Sequence, residues 1–383
     1  MTPYSMKIPF QRRVLTRLAA ALLAAAVLLP GCSGFEGLGK SRRDLDKTTD
    51  EAMAKPVLSL YQQGQQAEQA GNFSKAAELY TAAAAEGDVA AMPALGDLYA
   101  EGRGVLKSQD QALQWYRRGA AQGSGRAQKA LGDMYYNGQG VLQDLGEAGK
   151  WYHAAAAQGD AAARVQLGLL YMRGQGRKQD HQEALKWFQQ AAQQGNAEAA
   201  YQMAFMYDRG FGVDENSAEA SKWYRTAAQQ GHAQSQYRLG LMYFMGREPV
   251  QQDYAEAMRW YRAAADKGVA EAQNSLGVIF AEGQGTAVNQ QEAIKWYRMA
   301  AEQGHAVSQA NLATMYRYGL GVKQDPVEAY MWYSIAAAVF AKDNVSMKVA
   351  TEISMEKLAD QMSEQEIRLA KTRAFEWREQ HGL

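Results

Sequence analysis

The chain has 383 residues and carries 41 basic and 41 acidic side chains, a formal net charge of zero. That balance gives no whole-chain attraction to DNA, RNA or anionic lipid, which a strongly basic protein would show. With 47% hydrophobic residues, 7 prolines and plentiful Ala, Gln, Leu and Glu, the composition points to an all-α chain, built as two or three ordinary domains or as one elongated array.

Lys7, Arg12, Arg13 and Arg17 form a positive segment ahead of the apolar run Leu18 to Leu29. That run is too short to cross a bilayer as a helix, which takes roughly 20 residues. It suits the apolar region of a signal peptide, expected over residues 1–31. Cys32, the single cysteine, follows Leu29-Pro30-Gly31. The stretch resembles a bacterial lipoprotein box, with Pro30 standing where a small or hydroxyl residue is usual. The resemblance implies that Cys32 becomes the lipidated first residue of the mature protein, held to a membrane by its buried acyl methylenes. Ser33, rather than Asp, favours the periplasmic face of the outer membrane, with the inner membrane or cell surface as alternatives. With one cysteine there is no intramolecular disulfide, even in an oxidising compartment. Residues 32–55 are polar, poor in large apolar side chains, and read as a flexible tether.

Residues 56–87 hold one atypical helix pair, with Leu79 where later units place tryptophan. From there the chain repeats. Trp115, Trp151, Trp187, Trp223, Trp260, Trp296 and Trp332 are spaced by 36, 36, 36, 37, 36 and 36 residues. Gly87, Gly123, Gly159, Gly195, Gly231, Gly268 and Gly304 keep the same step. A fixed period of this size signals stacked supersecondary units, none able to bury its apolar face alone.

Each of the seven units over residues 88–340 contains a helix A and a helix B. Helix A opens at Asp88, Ser124, Asp160, Asn196, His232 or His305, and carries Leu-Gly-x-x-Tyr triplets such as Leu131-Gly132-Tyr135. Helix B opens with an apparent capping box: Asp144 with Glu147, Asp180 with Glu183, Asn216 with Glu219, Asp253 with Glu256, Asn289 with Glu292, and Asp325 with Glu328. Ser108 with Gln111 is a weaker version. Trp follows three residues after Glu-Ala, and a small residue five beyond it, so aromatic and small residues should interlock along one stripe. The glycine pairs between the helices, such as Gly283 and Gly285, recur six times. They therefore read as turns rather than a phosphate loop, which would occur once, after a strand.

The pattern, best seen from Gln128-Lys129-Ala130-Leu131-Gly132 to Trp151-Tyr152, resembles the Sel1-like repeat, a relative of the tetratricopeptide repeat. The resemblance implies a right-handed α/α solenoid superhelix. The first pair, "GNFSKAAELYTAAAAEG", is closer to a plain tetratricopeptide unit. Residues 341–383 read as two C-terminal capping helices, with Ser363 and Glu366 as a capping box and Phe375 and Trp377 covering the last repeat. One loop, Gly246 to Asp253, has an extra residue and should protrude or bend the array.

The five histidines show no HExxH motif or paired ligands, and His232 and His305 share one repeat position. There is no Gly-x-Ser-x-Gly elbow. The expectation is a protein that is no enzyme and needs neither metal nor cofactor. By analogy with tetratricopeptide repeats, the concave groove is lined from helix A, two positions before and two, five and six after the Leu of each Leu-Gly pair. Lys129, Tyr136, Tyr201, Phe205, Tyr237, Phe244 and Arg317 fall there, apolar in the middle and charged at the flanks, as a protein-binding hot spot is. The partner is then an envelope protein or peptide. The resemblance implies roles in exopolysaccharide secretion, sensor regulation or virulence. The alternative is direct binding of a polysaccharide or peptidoglycan by exposed Tyr and Trp; nucleic acid is not expected, and the membrane is touched only through the lipid anchor.

Overall fold

The computed structural model describes residues 58–382. The signal peptide, Cys32 and the tether lie outside the described residues. Eighteen helices and no strand are found among the described residues. The first pair is α1 (Leu60–Gln69) and α2 (Phe73–Ala85). Seven further pairs follow: α3 (Ala91–Glu101) with α4 (Gln109–Ala121), α5 (Gly125–Asn137) with α6 (Leu145–Ala157), and α7 (Ala161–Arg173) with α8 (His181–Gln193). Then come α9 (Ala197–Arg209) with α10 (Ser217–Gln229), α11 (Ala233–Met245) with α12 (Tyr254–Ala265), and α13 (Ala270–Glu282) with α14 (Gln290–Glu302). The array closes with α15 (Ala306–Tyr318), α16 (Pro326–Asp343), α17 (Val345–Ala359) and α18 (Glu364–His381). Each odd-numbered helix up to α15 packs on the even helix after it, and each even helix packs on the next odd one. Residues 59–382 thus form an all-α repeat solenoid. No described helix is long and apolar enough to cross a membrane.

The interlock between helices of a pair is made by the residue after the tryptophan. A Cβ added to Gly132 would stand 2.5 Å from the Tyr152 ring, and one on Gly168 would stand 2.6 Å from Phe188. Gly96 with Tyr116 and Gly277 with Tyr297 repeat the arrangement. Tyr152, Phe188, Tyr224 and Tyr261 are buried. The glycine gives up side-chain bulk so that a large ring can lie flat on the helix backbone, which keeps interior density high. The tryptophans do something else. Trp115, Trp151, Trp187, Trp223, Trp260 and Trp296 are half-buried and Trp332 is buried. Trp151 packs on the core of α4 and α5, and Trp187 on the core of α6 and α7.

The helix starts depart from the expected reciprocal capping box. Asp144, Asp180, Asn216, Asp253, Asn289 and Asp325 each accept the backbone N–H three residues on. The returning half, from the Glu side chain to the cap's own N–H, is seen at Ser363 with Glu366, and at Ser59 with Gln62. Inside the repeats that N–H is already used: Asp144 donates to the Tyr135 carbonyl and Asp180 to the Tyr171 carbonyl, both at 2.9 Å. Glu183 and Glu292 are left to pair with Lys186 and Lys295 one turn on, at 2.8 and 2.6 Å. At the A-helix starts, Ser124, Asp160, Asn196, His232 and His305 accept as expected. Asp88 does not cap α3; it accepts from Ala90 in the turn before it.

Where a connecting loop has a second glycine, it is required twice over. Gly176 has φ +68°, and a Cβ there would run into the backbone of Leu145 at the start of the preceding helix B. Gly104 and Gly321 sit likewise on Phe73 and Gln290. In the off-period loop, Gly246 to Asp253, Glu248, Pro249, Gln251 and Gln252 are exposed while Val250 turns inward. Val250 is buried against Tyr224 and Met242. Arg247 reaches back to Asp208 at 2.6 Å and Glu215 at 2.9 Å. At the C-terminus Trp377 packs edge-on against Trp332 with ring centres 5.6 Å apart. Phe375 is 56% exposed and covers nothing, because α18 turns its Ala370 and Ala374 face to the core instead.

Candidate partner-binding face

Lys129, Tyr136, Tyr201, Phe205, Tyr237, Phe244 and Arg317 all lie on odd-numbered helices, and all are half-buried. They do not form one continuous surface of free side chains. Lys129 is paired with Asp133 at 2.7 Å, and the Tyr136 ring rests on Tyr152, centres 6.5 Å apart. Tyr201 is held between Tyr224 and His232, at 6.0 and 4.7 Å. Phe205 meets Phe211 edge-on at 5.7 Å, under the Arg209 guanidinium. Tyr237 rests on Tyr261 at 5.9 Å, and burial pushes its phenol pKa up. Phe244 contacts Tyr254 and Tyr261, at 5.4 and 6.3 Å. Arg317 is taken by the C-terminal cap: it donates to the Ser354 carbonyl of α17 at 3.1 Å.

Between successive odd helices the structure forms clefts, and two of them occupy the same register three repeats apart. The first, about 280 Å³ between α3 and α5, is lined by Asp97, Tyr116, Arg126, Lys129 and Asp133. Its charges are matched, Arg126 with Asp97 and Lys129 with Asp133. Tyr116 donates to Asp97 at 2.6 Å and Tyr152 to Asp133 at 2.9 Å. The second, about 170 Å³ between α9 and α11, is lined by Leu241, Met242 and Met245 together with Asp208, Tyr224, Arg238 and Arg247. Leu241 stands at the register of Asp133, Tyr237 at that of Lys129, and Arg238 at that of Ala130. The groove pattern included Asp208, Leu241 and Met245. It missed Tyr224, which arrives from helix B, Arg238 and Met242, which stand off the pattern on α11, and Arg247, which comes from the irregular loop. A signal did exist: Phe205 replaces the carboxylate that Asp97 and Asp133 offer a tyrosine.

One cluster resembles acyl-transfer machinery. His232 Nε2 lies 3.0 Å from Glu198, and its Nδ1 lies 2.9 Å from the Ser235 hydroxyl. Yet Ser235 is 0% exposed, so no substrate carbonyl can reach it. Nδ1 also accepts the Ser235 backbone N–H at 3.2 Å, which makes His232 a helix cap. The His232 hydrogen bond lowers the Glu198 pKa. His305 repeats the cap on Ser308; burial lowers its pKa, against the pull of Glu271. Among the described residues no three His, Cys, Asp or Glu side chains are grouped to hold a metal ion.

The family model described as Sel1 repeat matches residues 52–88, 89–124, 125–160, 161–196, 197–232, 233–269, 270–305 and 306–338. The crystal structure of a Sel1 repeat protein from Oxalobacter formigenes is 37% identical, covering 63% of this chain and 98% of its own, with a TM-score of 0.60. A protective antigen of uropathogenic Escherichia coli strains, displaying the same repeat fold, is 26% identical over 88% of this chain and 86% of its own, at a TM-score of 0.43. An immunity protein of Pseudomonas aeruginosa is 21% identical over 60% of this chain and 82% of its own, at 0.36. No curated protein matches the chain.

Proposed function

This chain belongs to the Sel1 repeat family, and from that premise we propose that it is a non-enzymatic scaffold that binds a protein partner across α9 and α11. Sel1 repeat proteins are generally non-catalytic interaction scaffolds. The observation that carries the reading is how the polar side chains are used. The repeated acids and histidines are consumed in caps and ion pairs, while α9 and α11 keep partly exposed aromatic side chains around an apolar cleft. A patch with such anchors at its centre is where binding energy concentrates. The half-buried Trp115, Trp151, Trp187, Trp223 and Trp296, seated on neighbouring cores, support a protein partner over a glycan stacked on exposed indoles.

The test uses Met245, which is 63% exposed at the edge of the cleft. Met245→Glu should leave helicity and Tm unchanged and cut capture of a crosslinked envelope partner at least about tenfold, as burying an unpaired charge against a bound apolar contact does. Equal capture would retire this face. Anchoring through Cys32, in the outer membrane facing the periplasm, is the second half of the proposal. Its support is the apolar run before a lone cysteine. Cys32→Ala should move the protein from the membrane to the soluble fraction and abolish labelling by a palmitate analogue.

A further inference from the structure

A triad of carboxylate, tyrosine and arginine occurs twice at one register. In the first pair, Tyr80 donates to Glu68 at 2.7 Å, and Arg103, just after the glycine ending α3, holds the other Glu68 oxygen at 3.3 Å. Glu68 lies four residues after Gly64, the glycine under the Tyr80 ring. Asp208 lies four residues after Ala204, and Arg247 follows the glycine ending α11. Here the acid is one methylene shorter. Arg247 holds it, and the Tyr224 hydroxyl, buried to 1% exposure, has no partner. Arg238 Nε is buried without an acceptor as well, and among the described residues Arg238 makes no ion pair. Both groups line the apolar cavity of Leu241, Met242 and Met245.

Two buried donors without an acceptor are costly unless a ligand supplies one. The volume, about 170 Å³, is comparable to the roughly 150 Å³ apolar cavity that admits a benzene molecule. That is room for one large side chain. Arg238, without a carboxylate of its own, asks for an anion. Tyr237 lies one turn before Leu241 on α11 and Phe244 close to one turn after it, so a bound chain has aromatic surface on both sides.

We propose that this cavity takes one large apolar side chain of a partner peptide, with the carboxylate of an adjacent internal Asp or Glu received by Tyr224 and Arg238. The assignment rests on the scaffold reading and names the chemistry of its partner.

The probes are capped Gly/Ser-flanked peptides with a central Phe-Glu, Phe-Gln, Phe-Lys or Gly-Glu, titrated into the full chain with ¹³C-methyl methionine. The Met242 and Met245 methyl signals should shift and saturate with Phe-Glu, at least about tenfold tighter than with the other three, as expected for a charge-assisted hydrogen bond. Arg238→Gln should erase the preference for Glu over Gln. Asp208→Glu should restore the bond seen at Tyr80, raise Tm and weaken Phe-Glu binding. Leu241→Trp, which fills the cavity, should do so without that stabilisation. Equal binding of Phe-Glu and Phe-Gln, no saturable shift, or binding that survives Leu241→Trp would overturn the assignment. Tighter binding of a peptide ending in free Phe would overturn the internal carboxylate. If these peptides fail while Met245-dependent partner capture persists, this chemistry falls and the scaffold reading stands. If Phe-Glu binds but no partner is captured through Met245, the pocket stands and the scaffold reading falls.

Discussion

The first helix pair and the α9–α11 region are built on one plan and finished differently. At Tyr80 the phenol donates to one Glu68 oxygen and Arg103 pairs with the other. At Tyr224 the arginine keeps the shorter Asp208, and the phenol faces an open cavity. The α3–α5 cleft lies between these extremes, open but with its charges matched. The lesson is that a repeat fixes where a cleft forms, while the side chains at a few positions decide whether its polar groups are matched. A repeat stabilised by its neighbours can carry an unsatisfied group at one junction, because the cost is local.

The largest test of that contrast is a pair of hydroxyl deletions. Tyr80→Phe removes the phenol donor to Glu68, leaving it Arg103, and should cost about 1.5–3 kcal/mol, the range for a hydrogen bond to a charged group. Tyr224→Phe should be neutral or stabilising, because it removes a buried hydroxyl without a partner; chemical denaturation of both variants measures the difference. Next is the interlock. Gly132→Ala presses a Cβ onto the Tyr152 ring and should cost about 1–3 kcal/mol by overpacking. Ala204→Gly, at the same register beside Tyr224, should cost about 0.5–1 kcal/mol through helix propensity and roughly as much again for the buried methyl it loses. Thermal melts rank the two.

A smaller effect is pH dependence. Burial holds the His305 pKa below its ordinary value of 6.5. The unfolded chain therefore takes up a proton as pH falls through about 6.5, while the folded chain resists it until lower pH. The stability from this group is complete above that value and declines as pH falls. His305→Asn keeps a capping acceptor for Ser308 and removes the slope, which Tm at pH 7.5 and 5.5 should show. Smallest is Lys129→Ala in the polar cleft, where a partly exposed ion pair should be worth about 0.2–1 kcal/mol. A loss that persists in high salt would mean that the lysine stem, not its charge, carries the contact.

Much of the fold was legible because each repeat solves the same local problems. Cap residues, loop glycines and small-against-large spacing are short-range, and every copy confirms the others. The same repetition misled over roles. Trp151 recurs as plainly as Tyr152, yet spacing alone does not say which ring meets the glycine of its own pair and which one meets the neighbouring core. The capping boxes read as reciprocal because the sequence does not show that Tyr135 and Tyr171 offer their carbonyls to the cap N–H. Arg317 reads as free groove surface until α17 is seen against it.

The sequence by itself determined the helices, their pairing and the all-α solenoid, since these follow from backbone preferences and hydrophobic period within one repeat. Only the tertiary structure decided which junction stays open. Asp208, Tyr224, Arg238 and Arg247 come from four separate segments. The sequence shows Asp208 where the first pair has Glu68, and Phe205 where other repeats have Asp97 and Asp133, but not that Arg247 takes Asp208 and leaves the Tyr224 hydroxyl without a partner.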